Sequence, residues 1–163
     1  MLTDNLLRSE SFPVYDSSSK NDSLVWGNLL HIILSEICYK SDVENVLSNY
    51  AMNGLLNEQQ KKKLLDQIET IYQHPLLKYG FENKAIVRNE TEILDRNGNV
   101  FRIDRYSDLG DKIVLLDYKT GSKHASHYKQ MQNYIALVKE LESKPISGYL
   151  VYLSDSLEVL EVA

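Results

Sequence analysis

The chain contains a single cysteine, Cys38, among its 163 residues. One thiol cannot form an internal disulfide, and it cannot supply the sulfur ligands of an all-cysteine zinc site or an iron–sulfur cluster. A metal bound within this chain would therefore be held mainly by oxygen and imidazole ligands. Such a ligand set indicates a hard divalent ion, Mg²⁺ or Mn²⁺.

The sequence also lacks a long apolar run and a surplus of basic residues. No apolar stretch reaches the roughly 20 residues that span a bilayer, and the N-terminal segment lacks the basic-then-apolar order of a secretory signal. We therefore expect a cytoplasmic location and no membrane. The net charge of −5 argues against a generic DNA-coating protein, which is usually basic, although a metal site that concentrates carboxylates is compatible with it.

The length and composition fit one globular domain. A chain of 163 residues with 43% hydrophobic and 25% charged residues can bury one core and leaves little room for a second. Residues 1–23 are polar, with the run DSSSKNDS at 16–23, so we interpret them as a linker or a loosely packed lead-in. Residues 24–163 are predicted to form the domain.

Hydrophobic periodicity predicts an α/β layered domain. Three helices come first, the period then changes to that of strands, and one more helix separates the third strand from the fourth. The predicted elements are helices at 24–39, 41–53 and 58–74, strands at 84–94, 99–106 and 112–119, a helix at 124–141, and strands at 148–153 and 157–162.

Asp117 and Lys119 stand at the end of the apolar strand IVLL, residues 113–116. Residues i and i+2 of a strand share a face, so this carboxylate and this ammonium project side by side from a rigid element. The arrangement suits a metal ligand beside a group that faces a phosphate. A surface ion pair is the alternative for the pair taken alone.

Asp104 lies thirteen residues before Asp117, with one tight turn between them. This spacing predicts that their two strands are antiparallel neighbours. Two aspartates on adjacent strands approach closely only if their repulsion is cancelled, and a divalent ion cancels it. The sequence leaves open the alternative that Asp104 pairs with Arg102 or Arg105.

His31 is the third candidate metal ligand. On the first helix it shares a strip with Gly27 and Ser35, four residues before and after it. These small neighbours leave room for a ligand or for another backbone to come close. A packed or hydrogen-bonded histidine is the alternative.

Two further pairs stand near these residues. Glu90 and Glu92 fall on one face of the first long strand, where one could complete the acidic site, and Glu90 is preferred. Gln130 and Tyr134 are neighbours one helical turn apart on the helix that follows Lys119. Ordinary core and surface packing is the alternative for that second pair.

Five segments of the chain stand out together: WGNLLH at 26–31, RIDR at 102–105, VLLDYKTG at 114–121, QMQNY at 130–134 and GYLVYL at 148–153. In this order and spacing they resemble the PD-(D/E)XK nuclease superfamily and, within it, the RecB/AddA branch of exonuclease domains. The resemblance runs from about residue 24 to the end of the chain. It implies a restriction-endonuclease-like core, with a mixed central sheet flanked by helices and an N-terminal helical lead-in.

The resemblance also implies a role for each residue of the site. A metal would be held by His31, Asp104 and Asp117, with the backbone carbonyl of Tyr118 facing it. Lys119 would be the motif lysine, and the two aspartates, Lys119 and Glu90 would form the catalytic set. Gln130 and Tyr134 would contact the DNA or brace the site.

The function implied is that of a Mg²⁺-dependent deoxyribonuclease of the exonuclease V type, with Mn²⁺ as a possible substitute. Its partners would be DNA and a helicase motor in the same parent chain or complex, acting in DNA repair and recombination. Ile103 replaces the proline that names the superfamily, which this branch commonly lacks. Relatives with an iron–sulfur cluster use four cysteines, so Cys38 alone implies a cluster-free domain.

Three other functions are compatible with the sequence. The first is a catalytically inactive DNA-binding module of the same fold. The second is a structural or protein-interaction domain whose carboxylates are solvated. The third is another enzyme of the same fold, such as a restriction endonuclease.

Overall fold

The computed structural model describes residues 20–153 and 156–162. Most of the predicted lead-in, residues 1–19, lies outside the described residues. The elements are α1 (Lys20–Glu36), α2 (Val43–Met52), α3 (Glu58–Gln73), β1 (Ile86–Leu94), β2 (Val100–Asp108), β3 (Ile113–Lys119), α4 (Ala125–Leu141), β4 (Ile146–Leu153) and β5 (Leu157–Val162), with short 3₁₀ helices at Lys40–Asp42 and Lys78–Phe81.

The five strands form one mixed sheet in the order β1-β2-β3-β4-β5. Neighbouring strands are antiparallel, except that β3 and β4 are parallel and are joined through α4. A parallel pair needs such a crossover, because its second strand must start again at the far end of the sheet. The predicted α/β fold with a restriction-endonuclease-like core is therefore confirmed.

Each face of the sheet has its own core. Along β3 the side chains alternate: Val114, Leu116 and Tyr118 pack against α1–α3, whereas Ile113 and Leu115 pack against α4. Burial on both faces explains why β3 reads as a continuous apolar run. The same alternation directs Asp117 and Lys119 toward the face that α4 covers.

Two tight turns join the strands of the β1–β2–β3 meander, and the second is the turn predicted between Asp104 and Asp117. In the first, the Asp95 carboxylate accepts hydrogen bonds from the N–H groups of Asn97 and Asn99. Gly98 takes a positive φ of 83° there, which a residue without a side chain adopts at low cost. In the second turn the Asp108 carboxylate accepts from the N–H of Gly110. The turns bring β1, β2 and β3 side by side.

A fully buried arginine, Arg105 of β2, fixes the end of α1 to the sheet. Its guanidinium donates to the carbonyl of Ile37 at 2.8 Å, to that of Cys38 at 2.5 Å and to that of Gly80 at 2.9 Å. The guanidinium also lies over the Phe81 ring, 3.9 Å from its centroid. Helix ends leave carbonyls without intrahelical partners, and this side chain satisfies those that follow α1.

Asn89 of β1 completes the anchor. Its amide donates to the carbonyls of Ser35 and Ile37 at 2.8 and 3.0 Å, and its Oδ1 accepts from Arg105 at 3.2 Å. This capture accounts for the end of α1 at Glu36, three residues before the predicted end. The helix begins at Lys20, four residues before the predicted Leu24.

Gly27 allows α1 to approach the ends of β3 and β4. A Cβ at this position would lie 2.7 Å from Thr120 Cγ2 and 3.2 Å from the Leu153 carbonyl oxygen. The small residue before His31 therefore makes room for another backbone, which is one of the two possibilities that the sequence offered. Within residues 20–153 and 156–162, no helix has the length and apolar character needed to cross a membrane.

We expect Arg105→Met to destabilise the fold, because the carbonyls after α1 would lose a charged donor. Hydrogen bonds to charged groups contribute about 1.5–3 kcal/mol each, so a loss of about 3 kcal/mol in the free energy of unfolding is expected. Denaturant unfolding measures it. The matched control is Arg102→Met on the same strand, whose side chain is 61% exposed. Equal losses in the two variants would contradict the anchoring role.

Candidate metal centre

Three potential metal ligands converge from three separate elements. His31 comes from α1, Glu90 from β1 and Asp104 from β2, and one ligand atom of each lies within 4.8 Å of the other two. Donors bound to one Mg²⁺ at about 2.1 Å lie up to about 4.2 Å apart, so small side-chain rotations bring this group into range. The three residues could hold a metal ion.

Asp104 sits at the centre of this group. Its Oδ2 lies 3.2 Å from His31 Nε2 and accepts a hydrogen bond from the Tyr118 N–H at 2.7 Å. The contact with Asp104 is the main cause that raises the pKa of His31 above its ordinary value, against the opposing effect of burial. Asp104 pairs with neither Arg102 nor Arg105, which answers the question that the sequence left open.

Glu90 reaches the group through an unusual backbone conformation. Its φ is 51°, which is costly for a residue with a side chain. The register on either side, Asn89 with Arg105 and Thr91 with Ile103, places Glu90 opposite Asp104. Glu90 Oε2 contacts Arg102 Nε at 2.8 Å. Such strain is common at functional sites.

Glu92, the alternative to Glu90, lies elsewhere. It is exposed and stands opposite Arg102 in the β1–β2 ladder. It is not among the residues of the cluster. Of the two glutamates, the structure brings only Glu90 to His31 and Asp104.

Asp117 and Lys119 lie at the end of β3, next to this group. In the β2–β3 ladder Arg105 pairs with Leu116, so Asp104 and Asp117 directly adjoin the last pair of that ladder. Asp117 Oδ2 is 2.6 Å from Lys119 Nζ. Burial and then the charge of Asp104 raise the pKa of Asp117 to about 6, although Lys119 and His31 oppose the shift. Asp117 lies beside His31, Glu90 and Asp104 but is not one of these three potential ligands.

The backbone of Tyr118 faces the same place. Its N–H donates to Asp104, and the N–H and C=O of one strand residue point to the same side of the strand. The Tyr118 carbonyl is therefore directed toward the β2 side, where Asp104 stands. Its ring lies on the other face and meets the His31 ring edge-on at 5.8 Å.

Gln130 and Tyr134 connect to the site through Lys119. Gln130 Oε1 accepts a hydrogen bond from Lys119 Nζ at 2.7 Å, and Gln130 Nε2 donates to the Tyr134 hydroxyl at 2.7 Å. Tyr134 is buried in the core under α4. This series of contacts links the Lys119 ammonium, which lies beside Asp117, to helix α4.

Three buried atoms of the site lack hydrogen bonds among the described residues: His31 Nε2, Glu90 Oε1 and Asp117 Oδ2. The first and third lie within contact distance of a charged neighbour. Buried polar atoms without partners are rare and costly. A set of one imidazole nitrogen and carboxylate oxygens fits a divalent cation, so the residues present suit a metal.

Sequence reasoning missed two contacts. The sequence offers Arg102 as a partner of Asp104, whereas Arg102 pairs with Glu90. His127 Nδ1 lies 3.1 Å from the Tyr152 hydroxyl, near Lys119. The only sequence signal for this second pair is the position of His127 one helical turn before Gln130.

The chain is similar in fold to a protein of known structure. A candidate exonuclease from Eubacterium rectale superposes with a TM-score of 0.50 at 10% identity, over 91% of this chain and 60% of that one. This chain thus spans about 60% of the length of that protein. At such low identity the likeness concerns the fold alone.

The structure of a protein named SSO0001 matches with 17% identity over 82% of this chain and 65% of that one, at a TM-score of 0.35, too low to support an argument. No protein-family model matches the chain, and no curated protein matches it.

We expect Mn²⁺ or Mg²⁺ to stabilise the protein against heat. A ligand at one hundred times its Kd contributes about 2.7 kcal/mol, which corresponds to a rise in Tm of roughly 5–10 °C for a domain of this size. Thermal scans with and without each ion measure the effect. His31→Ala and Asp104→Asn should abolish it, whereas the control Glu92→Gln should retain it. An equal rise in all variants would mean that the ion binds elsewhere.

Proposed function

We propose that this domain is a Mg²⁺-dependent DNA nuclease. The observation that carries the proposal is the convergence of His31, Glu90 and Asp104, with Asp117 and Lys119 directly beside them. A cation-binding group next to a fixed ammonium suits a phosphodiester, whose charge both can meet. The resemblance of the motifs to nucleases supports it, as does the fold shared with a candidate exonuclease.

His31, Glu90, Asp104 and Asp117 would hold the metal, with the Tyr118 carbonyl facing it. A bound divalent ion lowers the pKa of a coordinated water and polarises a phosphate oxygen. Mn²⁺ would substitute for Mg²⁺, because a site made of one imidazole and several carboxylates can bind either ion. No sulfur cluster is required.

Lys119 would stabilise the negative charge that develops on the phosphate oxygens, or orient the attacking water. Its side chain is only 17% exposed, so bulk water screens its charge little. Asp117 and Gln130 hold the ammonium at 2.6 and 2.7 Å. Such fixed positioning means that little rearrangement is needed during the reaction.

We also propose that the cleavage is exonucleolytic and that the domain works with a helicase motor in the same parent chain or complex, in DNA repair and recombination. The support for this finer proposal is the resemblance to the RecB/AddA branch. The net charge of −5 agrees with it, because a domain with few surplus cations benefits from a partner that holds the DNA. Comparing degradation of linear and circular single-stranded DNA tests the exonuclease part.

Lys119→Ala and Asp117→Ala should each lower the rate of Mg²⁺-dependent cleavage of single-stranded DNA by about 10²–10³-fold, the usual loss of a charge-stabilising group. Lys112→Ala, at the other end of the β3 segment, is the matched control and should cleave DNA at the wild-type rate. Chelation by EDTA should stop cleavage.

Wild-type activity in either site variant would refute the assignment of that residue. A wild-type protein that binds DNA but shows no EDTA-sensitive cleavage would instead be the inactive DNA-binding module. A wild-type protein that neither binds nor cleaves DNA would contradict both the nuclease and the inactive DNA-binding module.

Gln130→Ala should lower the single-turnover rate by about 10- to 100-fold, because a misplaced catalytic group costs up to about 100-fold. Tyr134→Phe should lose less, since it removes only the second contact in the chain. The exposed Asn133 on the same helix provides the control, Asn133→Ala. Full activity of Gln130→Ala would show that Lys119 does not depend on this brace.

A further inference from the structure

A second pair of polar side chains lies beside Lys119, outside the candidate metal centre. His127 is in the first turn of α4, and Tyr152 is near the end of β4. Their Nδ1 and hydroxyl oxygen are 3.1 Å apart, and Tyr152 is 3% exposed. In the parallel β3–β4 ladder Tyr152 stands level with Lys119. The pair therefore occupies the β4 side of Lys119, whereas the acids come from β1, β2 and β3.

The environment favours the neutral form of His127. Burial raises the pKa of Tyr152, so its hydroxyl stays protonated and can donate to Nδ1. Burial, with the positive charges of Lys119 and His124, lowers the pKa of His127. A neutral imidazole that accepts at Nδ1 carries its hydrogen on Nε2. With the Tyr152 hydroxyl donating to Nδ1, His127 presents one N–H donor, at Nε2.

The neighbours of this donor suit an anion. The His124 ring meets the His127 ring edge-on at 5.3 Å, and the Ser122 hydroxyl lies 3.1 Å from His124 Nε2. Lys123 is close to Tyr152 but is paired with Glu158. In the part of the chain that the structure describes, nothing is bonded to His127 Nε2. Hydroxyl, imidazole and ammonium groups here can all donate to phosphate oxygens.

We propose that His127 binds the phosphate next to the scissile one through its Nε2–H, and that Tyr152 is the positioning residue that orients the ring. This inference rests on the proposed nuclease function. Lys119 faces the scissile phosphate, and a strand that continues along the carboxyl ends of β3 and β4 brings its neighbouring phosphate to His127. Contacts to the backbone phosphates position a strand without reading its sequence.

The first test separates binding from chemistry in single-turnover cleavage of oligothymidylate with Mg²⁺. His127→Ala should raise the half-saturating DNA concentration by about 5- to 10-fold, the effect of one hydrogen bond, with the maximal rate changed less than about twofold. His127→Gln, which keeps an N–H donor, should recover part of the loss. The control is His74→Ala, because His74 lies between α3 and β1, far from His127 in the sequence. This variant should leave both quantities unchanged.

The second test locates the phosphate. Oligothymidylates that each carry one uncharged methylphosphonate linkage are titrated with Ca²⁺ in place of Mg²⁺. At one linkage the neutral substitution should weaken binding by the wild type and not by His127→Ala, which is the signature of a direct contact in a double-mutant cycle. Tyr152→Phe should reduce that coupling while keeping most of the melting temperature.

The outcomes separate this inference from the proposed function. Losses that are additive at every linkage, or a fall in the maximal rate with half-saturation unchanged, would overturn the assignment of His127. The nuclease function would stand in that case, because the wild type still cleaves. A wild-type protein with neither cleavage nor oligothymidylate binding would overturn both.

Discussion

The geometry of the site depends on one buried cation, Arg105. Its guanidinium joins the carbonyls that follow α1 to strand β2, and those two elements carry the central contact of the site. His31 lies on α1 less than two turns before the anchored end, and Asp104 is the residue before Arg105. Burial disfavours the charged form and lowers the pKa of Arg105, yet the carbonyls and the Phe81 ring compensate the charge in place of an acid.

The candidate metal centre lowers the stability of the fold, whereas the Arg105 anchor raises it. Burial and the charge of Asp104 raise the pKa of Asp117, and Glu90 holds a left-handed backbone conformation. Both features cost free energy in the metal-free protein. The continuous apolar burial of β3 on two faces offsets these costs, because a strand fixed on both sides can hold unfavourable groups at its end. Lys119 offsets part of the repulsion through its contact with Asp117.

The sequence predicts those features that depend on local patterns. Periodicity located the helices and strands to within a few residues, and the one tight turn between Asp104 and Asp117 predicted that they lie on neighbouring strands. The alternation along β3 also predicted that Asp117 and Lys119 share a face. The bonds of Arg105 join residues 67 and 68 positions apart, and no local pattern encodes such a contact. The left-handed Glu90 was hidden for the same reason, since its conformation depends on the register across β1 and β2.

The division of charge along the sheet links the metal to DNA binding in the proposed function. The acids stand on β1, β2 and β3, whereas Lys119, His127 and Tyr152 stand toward β4. A phosphate strand crossing this edge meets carboxylates at one end and donors at the other. Without a cation the acidic end repels the strand, because like charges that are partly buried are weakly screened. The ion would therefore be needed to admit the phosphate as well as to activate water, and a domain of net charge −5 could bind a polyanion only where its own acids are neutralised.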